Sequence, residues 1–270
     1  MVALTPQEIK SIQISILKDI DRFCKSNNIQ YYLFAGSLIG AVRHKGVIPW
    51  DDDIDICMKR EDYNYFFKTF NSKGIPNRKA ICLEYDEDYY SAAGKVIDTR
   101  TSLIEAVAKP CELGVFVDIF PMDYLPEKES DIKRLNFRIS GYRKLVALKN
   151  SKILKERIWY KNVVLAIAQF LLKPIPMNHL LKRIASIAQT YKNDSTCTKL
   201  ADISVFTYGM KEVHERAEFA TTVEMEFEGS MFSVPVGFDK VLQRMYGDYM
   251  KLPPKEKQVS HHVNNVFWRE

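Results

Sequence analysis

The stretch from Pro49 to Ile56, PWDDDIDI, places four carboxylates within five residues directly before an apolar run. Successive side chains of a strand point to opposite faces, so the alternation predicts that Ile54 and Ile56 face the core while Asp53 and Asp55 share the other face. Two such carboxylates, about 7 Å apart, repel by roughly 2 kcal/mol at an effective dielectric of about 20. We expect either a solvated acidic turn at a polar strand edge or a pair that converges on Mg²⁺, which prefers oxygen ligands.

The composition is that of an ordinary folded protein. The chain has 270 residues, 46% of them apolar and 27% charged, which is enough for one large domain or two modest ones. Five cysteines are scattered without a Cys-x-x-Cys pair, which favours reduced thiols in the cytosol over disulfides or a cysteine-built zinc site. Thr5 and Glu8 fit a capping box ahead of apolar residues at helical spacing, which predicts a helix of the fold rather than a signal peptide.

Strand and helix patterns are mixed along the first half of the chain. Residues 29–35 and 114–120 read as strands, and residues 53–59 alternate like a strand with one buried face. Helical patterns lie between them and dominate after residue 129. We therefore predict the α+β class, with a mixed β-sheet flanked by helices.

The net charge of +5 hides a split between two parts of the chain. Residues 133–192 hold fourteen Lys or Arg and a single acid, Glu156, for a local charge of +13, which leaves −8 for the rest. Within this block, residues 163–172 (VVLAIAQFLL) would rise only about 15 Å as a helix, half the hydrocarbon core of a bilayer. The block fits contact with an anionic membrane surface, and the alternative is a helical subdomain with a solvated basic face. Nucleic acid is not an expected partner, because aromatic residues in the block are few and the rest of the chain is acidic.

Two further segments carry candidate functional residues. Gly36 and Ser37 follow the strand-like YYLFA at the start of a helix, where backbone amides and the helix dipole can bind phosphate; a plain turn is the alternative. Asp118 lies within the apolar GVFVDIF, and a buried carboxylate needs a partner. Asp118 is therefore a salt-bridge residue, a third carboxylate of a metal site, or the base that takes a proton from an attacking hydroxyl.

Four motifs of this chain resemble the LicD family, which is related to fukutin and lies within the nucleotidyltransferase superfamily. The motifs are FAGSLIGAVRHKGVIPWDDDIDI, GKVIDTRTSL, GVFVDIFPMDYLP and YGDYMKLPP with two histidines after it. The resemblance implies a nucleotidyltransferase-type core with a mainly helical basic subdomain. We accordingly divide the chain into a nucleotidyltransferase-like catalytic core (1–128), a basic helical subdomain for acceptor or membrane contact (129–200), and a segment that returns to the core and completes the site (201–270).

The resemblance also implies roles for individual residues. Asp53, Asp55 and Asp118 become both the metal ligands and the catalytic carboxylates, while Asp51 and Asp52 are second choices. The expected cofactor is Mg²⁺, with Mn²⁺ as its substitute. The residues expected to bind substrate around these carboxylates are Gly36, Ser37, Arg43, His44, Lys95, His261 and His262.

The activity that the resemblance implies is transfer of phosphocholine from CDP-choline to a sugar hydroxyl of a cell-surface glycan, a teichoic acid or lipopolysaccharide precursor, with release of CMP. One alternative is transfer of ribitol or glycerol phosphate from another CDP-alcohol. A second is a true nucleotidyltransferase that adds NMP to a sugar or small molecule. We expect a lipid-linked acceptor and a cytoplasmic protein in peripheral contact with the inner face of the cytoplasmic membrane through residues 133–192.

Overall fold

The computed structural model describes residues 2–86, 88–104, 111–152, 158–258 and 265–269. Within them the helices are α1 (Pro6–Ser26), α2 (Ala35–Ile39), α3 (Arg60–Thr69), α4 (Glu129–Asn150), α5 (Trp159–Leu172), α6 (Met177–Ala188) and α7 (Phe238–Tyr246). The strands are β1 (Tyr32–Leu33), β2 (Asp55–Lys59), β3 (Arg78–Ile81), β4 (Gly94–Asp98), β5 (Thr101–Ile104), β6 (Phe116–Leu125), β7 (Lys199–Ala201), β8 (His214–Glu215), β9 (Thr222–Phe227), β10 (Ser230–Pro235) and β11 (Asn265–Trp268).

The centre of the fold is a mixed sheet in the order β1-β2-β6-β4-β3, with β7 paired to the end of β6 and β8 paired to β7. Strands β2 and β6 run parallel, and the other neighbours run antiparallel. This confirms the predicted mixed sheet flanked by helices. Its register places Asp55 of β2 directly beside Asp118 of β6, which brings two of the predicted site residues together.

Helix α1 begins as its sequence predicts and covers part of this sheet. The Oγ1 of Thr5 accepts a hydrogen bond from the N–H of Glu8, while the Glu8 carboxylate accepts one from the N–H of Thr5. The helix contacts β4 and β6. The apolar side chains that it buries at helical spacing are Ile12, Ile16, Ile20 and Phe23.

Strand β2 is shorter and more deeply buried than the sequence predicts. Ile54 and Ile56 are fully buried as expected, but the strand begins at Asp55 and not at Asp53. Cys57 is buried as well, because β2 lies between β1 and β6 and packs against α2 and α3, so the expectation of one exposed face was wrong. Asp53 consequently lies in the turn that precedes the strand.

Strand β1 is also shorter than predicted. It spans Tyr32–Leu33, where the pattern indicated residues 29–35, because helix α2 takes over at Ala35. The Gly40–His44 segment then continues α2 as a turn of π-helix, which ends at Lys45 in the left-handed conformation.

A second apolar cluster lies beneath α4 and α6, beside the main core around the sheet. It also includes Leu125 from β6 and Ala201 from β7, which fall outside residues 129–200. Because this cluster crosses both predicted boundaries of the helical subdomain, the three-part division of the chain stays a prediction. The remaining buried members of this cluster are Leu83, Ile132, Leu135, Ile139, Leu181, Ile184, Ile187, Ala188, Ile203 and Phe206.

Helix α5 contains the apolar stretch that the sequence singled out. Among the described residues, no single helix has the length and apolarity needed to cross a membrane. By length and composition alone, α5 and the segment Met177–Tyr191 would together be long and apolar enough to cross a membrane. The two segments meet at a bend of 80°.

A buried ion pair fastens α3 to β6. The guanidinium of Arg60 donates two hydrogen bonds, of 2.8 and 2.7 Å, to the two carboxylate oxygens of Asp123. The two side chains are 4% and 1% exposed. Because Arg60 is the first residue of α3, this bidentate pair fixes where the helix starts against the strand that carries Asp118.

We predict that Arg60→Met lowers the free energy of unfolding by about 3–5 kcal/mol, because it leaves Asp123 buried without its counter-charge. The double variant Arg60→Met/Asp123→Leu should recover part of this loss. Urea unfolding followed by circular dichroism measures both effects.

The matched control is Lys133→Met, which removes an ion pair with Glu129 whose side chains are 62% and 63% exposed. Its expected effect on the free energy of unfolding is small, because water screens an exposed ion pair. An Arg60→Met protein as stable as this control would contradict the structural role assigned to the buried pair.

Candidate active site

The candidate site lies where β2 and β6 begin side by side. The N–H of Asp55 donates a 2.9 Å hydrogen bond to the Oγ of Ser37, and the N–H of Phe34 donates a 3.0 Å bond to the carbonyl of Asp55. The first turn of α2 therefore holds the backbone of Asp55 from both sides. Ser37 was predicted to contact phosphate; the structure places it beside Asp55, where its buried hydroxyl positions that residue.

The turn before β2 brings three carboxylates together. Among the described residues, Asp51, Asp52 and Asp53 have carboxylate oxygens that all lie within 4.8 Å of one another, and all three side chains are half-buried. Two backbone contacts shape the turn: the N–H of Asp51 donates to the carbonyl of Ile48 at 2.9 Å, and the amide of Gln13 donates to the carbonyl of Asp52 at 2.8 Å. Sequence reasoning ranked Asp51 and Asp52 below Asp53, because a turn residue has no periodicity to mark it.

Burial and like charge act on these carboxylates together. Burial raises the pKa of Asp55 well above its ordinary value, and its acidic neighbours, Asp53 and Asp118 foremost, raise it further. Burial, followed by the charge of Asp53, raises the pKa of Asp51 to about 7. The positive charge of Lys95 opposes the shift at Asp55. A divalent cation at this edge would favour the ionised form of each carboxylate.

Lys95 pairs with Asp118 across the sheet. The two residues are opposite each other in the β4–β6 register, and the Nζ of Lys95 lies 2.5 Å from the Oδ1 of Asp118. The same ammonium group lies 3.4 Å from the ring centroid of Phe116. Asp118 therefore forms a salt bridge, one of the roles that the sequence predicted. The ion pair lies at the same edge of the sheet as Asp55. Lys95 was expected to contact a phosphate, and that role stays a prediction.

Arg43 and His44 lie on the π-helical turn after α2. The Nη1 of Arg43 donates a 2.6 Å hydrogen bond to the carbonyl of Tyr249, so this side chain fastens the C-terminal part of the chain beside the site. Burial, and then the charge of Arg43, lower the pKa of His44. The ring of His44 packs edge-on to Trp50, with centroids 6.0 Å apart. The contact of Arg43 and His44 with the donor stays a prediction.

Tyr246, at the end of α7, is a neighbour of the site that sequence reasoning did not assign. Burial raises its pKa most, followed by Tyr208 and then Asp55, and the two tyrosine rings have centroids 5.5 Å apart. Its signal in the sequence was its place at the head of the YGDYM motif. The predicted site residues His261 and His262 lie outside the described residues.

Comparisons with known proteins identify the family of this chain. Residues 28–138 match a family model described as LicD/FKTN/FKRP, nucleotidyltransferase domain. Along 99% of both chains, the protein is 30% identical to the lipopolysaccharide cholinephosphotransferase LicD of Haemophilus influenzae. The chain belongs to the LicD family. This confirms the resemblance that the motifs indicated.

Two further proteins are similar to this chain over shorter stretches. An uncharacterized protein of Rickettsia typhi is 39% identical over 139 residues, which cover 47% of this chain and 42% of that one. The human ribitol 5-phosphate transferase FKRP is 50% identical over 34 residues, which cover 13% of this chain and 7% of that one.

We predict that Gly36→Ala weakens binding of Mg²⁺ by about 10- to 100-fold, the range typical when the support of a metal ligand is lost. A Cβ at Gly36 would overlap the Oδ2 of Asp51, so that carboxylate must move. Isothermal titration calorimetry measures the affinity. The control is Gly141→Ala on α4, where an added Cβ meets nothing within 4 Å and should stabilise the helix by about 0.5–1 kcal/mol. Unchanged Mg²⁺ affinity in Gly36→Ala would remove Asp51 from the candidate site.

A second prediction concerns pH in the absence of metal. The pKa of Asp51 is about 7 in the folded chain, above the value of about 3.9 in the unfolded chain. The folded chain therefore binds more protons between these values, so this contribution to the free energy of unfolding is present at low pH and is lost as the pH rises to about 7. As the pH rises from 5 to 8, the melting temperature of the wild type should fall relative to that of Asp51→Asn.

Added Mg²⁺ should stabilise the wild type more at pH 8 than at pH 5, since protons compete with it at the carboxylates. The pKa of Glu212 is also raised to about 7, chiefly by burial, but that group is present in both proteins and cancels in the comparison. Parallel pH curves for wild type and Asp51→Asn would show that Asp51 does not titrate in this range.

Proposed function

We propose that this chain transfers phosphocholine from CDP-choline to a sugar hydroxyl of a cell-surface glycan precursor, a teichoic acid or a lipopolysaccharide, and releases CMP. The observation that carries the proposal is the 30% identity to a lipopolysaccharide cholinephosphotransferase along 99% of both chains. In this proposal the mixed sheet is a nucleotidyltransferase-type core. The description of the family model that matches residues 28–138 supports that assignment.

The carboxylates at the start of β2 and β6 have the chemistry that a divalent cation requires. Burial and like charge raise the pKa of both Asp55 and Asp51, and a bound cation would relieve both penalties. Asp53 and Asp55 would hold Mg²⁺, or Mn²⁺ in its place, with Asp51 and Asp52 in the adjoining turn. Asp118 would be either the third metal ligand or the base for the hydroxyl proton. Bound there, the cation would offset the charge of the donor diphosphate.

The chain's own residues would orient the donor. Gly36 is proposed to bind the donor diphosphate through its backbone amide at the start of α2. The Oδ2 of Asp51 lies against Gly36, so a cation would have to sit between that carboxylate and the diphosphate. Arg43 follows on the same segment and can offset charge on the nucleotide that leaves, while His44, whose pKa is lowered, can donate a hydrogen bond to it. His261 and His262 are proposed to line the site on the strength of the family motif.

The reaction needs no covalent intermediate on the protein. The oxygen of the sugar hydroxyl bonds to the choline-bearing phosphorus, the bond from that phosphorus to the oxygen of CMP breaks, and its electron pair leaves with CMP. Lys95 occupies the Oδ1 of Asp118, so the Oδ2 is the atom that can take the hydroxyl proton. If Asp118 is instead a third metal ligand, the proton passes to solvent.

The proposed acceptor is lipid-linked, which places the reaction at a membrane. The protein would then be cytoplasmic and in peripheral contact with the inner face of the cytoplasmic membrane. The support for this placement is the charge of +13 on residues 133–192, which suits an anionic lipid surface.

Two related reactions remain as alternatives. Transfer of ribitol or glycerol phosphate is favoured by the similarity to ribitol 5-phosphate transferase FKRP, 50% identical over 34 residues. A true nucleotidyltransferase would use the same carboxylates, but the acceptor oxygen would attack the α-phosphorus of a nucleoside triphosphate, so that NMP is added to the acceptor and pyrophosphate leaves.

The test is product analysis with CDP-choline, CDP-ribitol and CDP-glycerol, each with Mg²⁺ and a glycan acceptor. We expect CMP from CDP-choline and a phosphocholine adduct on the acceptor. Asp53→Asn and Asp55→Asn should each slow CMP release by about 100-fold or more, the scale seen when one electrostatic contact to the transition state is lost.

Asp131→Asn is the control, because Asp131 lies on the first turn of α4 and pairs with the exposed Arg134. It should keep the wild-type rate. CMP release at the wild-type rate from Asp53→Asn and Asp55→Asn would contradict the carboxylate assignment. An NMP adduct would replace the transfer reaction with the nucleotidyltransferase alternative.

A further inference from the structure

Helix α5 is amphipathic, but it turns its apolar side away from the protein. Of its fourteen residues, all of which the structure describes, Leu165 is the one that is buried. Trp159 and Phe170, at opposite ends of the helix, are 75% and 74% exposed. The other exposed large apolar side chains of the helix, between 47% and 67% exposed, are Tyr160, Val163, Val164, Ile167 and Leu171.

The side of α5 that faces the protein is the more polar one. The amide of Gln169 donates hydrogen bonds to the carbonyls of Leu148 and Ser151, at 3.0 and 2.7 Å, which fastens α5 to the end of α4. The ammonium of Lys149 on α4 donates a 2.7 Å bond to the carbonyl of Leu172, the last residue of α5. Polar contacts therefore fix the helix, and its apolar surface is left toward the outside. An exposed apolar patch of this kind marks an interaction surface.

The charge around α5 identifies the kind of surface that would cover it. Residues 133–192 carry fourteen basic side chains and one acid. On the helix itself, exposed Lys161 follows the aromatic residues Trp159 and Tyr160, and exposed Lys173 comes directly after its last residue. Aromatic rings and lysines at the ends of an apolar helix are typical of a helix that lies in the interface of an anionic bilayer.

The dimensions favour a helix that lies along the bilayer. Fourteen residues of α5 rise about 21 Å, against a hydrocarbon core of about 30 Å. The next helix, α6, buries Leu180, Leu181 and Ile184 inside the protein, so its apolar side is already used.

We propose that α5 docks with its outward apolar face onto an anionic lipid bilayer, where Trp159, Ile167 and Phe170 enter the interfacial region and the flanking lysines contact lipid phosphates. This docking rests on the peripheral contact with the cytoplasmic membrane that is part of the proposed function. The vesicle test below measures binding alone, so its failure would leave the transfer reaction standing.

The experiment is flotation of the full chain with vesicles of phosphatidylglycerol and phosphatidylcholine, compared with vesicles of phosphatidylcholine alone. We expect at least about tenfold stronger binding to the anionic vesicles, weakened by added salt. The double variant Ile167→Gln/Phe170→Gln should bind the anionic vesicles at least about tenfold more weakly, since two apolar side chains no longer insert. Vesicles should also shift the tryptophan fluorescence of wild type to shorter wavelength, and Trp159→Phe should abolish that shift.

Met231→Gln is the matched control, because Met231 on β10 is 51% exposed and Ile167 is 56% exposed. It should bind vesicles as the wild type does. Equal binding to both kinds of vesicle, or undiminished binding by the double variant, would overturn the proposal. A dimer in sedimentation that the double variant loses, without vesicle binding by wild type, would show that a second copy covers α5 instead.

Discussion

The structure depends on holding carboxylates together where β2 and β6 begin. Asp55 and Asp118 are neighbours in parallel register, and the turn before β2 adds Asp51 and Asp53 to the same edge. Burial and like charge raise the pKa of Asp55 and of Asp51, and Lys95 forms an ion pair with Asp118. Under the proposed function, a divalent cation bound at this acidic edge would offset both the repulsion among the carboxylates and the charge of a donor diphosphate.

The supports of this edge come from distant parts of the chain. Ser37 on α2 holds the backbone at Asp55, and Gln13 on α1 holds the acidic turn. Arg43 brings the C-terminal part of the chain to the same side. The basic α4–α6 region has its own apolar cluster and turns one helix face outward. The fold thus separates an acidic edge, where we propose phosphoryl transfer, from a basic, apolar surface, where we propose lipid contact.

Local pattern was sufficient to predict the capping box at Thr5, the burial of Ile54 and Ile56, and the family. The features that local pattern did not predict depend on contacts between residues far apart in the sequence. The start of β2 depends on packing by α2, and the contact of Lys95 with Asp118 depends on strand register. The contact of Arg43 with Tyr249 joins residues 206 positions apart. Periodicity also shows which face of α5 is apolar, but not which face the protein covers, because polar contacts from α4 decide that.

The proposed site is tested most directly by a crystal structure with Mn²⁺ and CDP-choline, in which the anomalous signal of manganese locates the ion. We expect a manganese peak bound by carboxylate oxygens of Asp53 and Asp55, with the donor diphosphate against it beside Gly36. A bound nucleotide with manganese elsewhere, or with no manganese at these carboxylates, would contradict the proposed site.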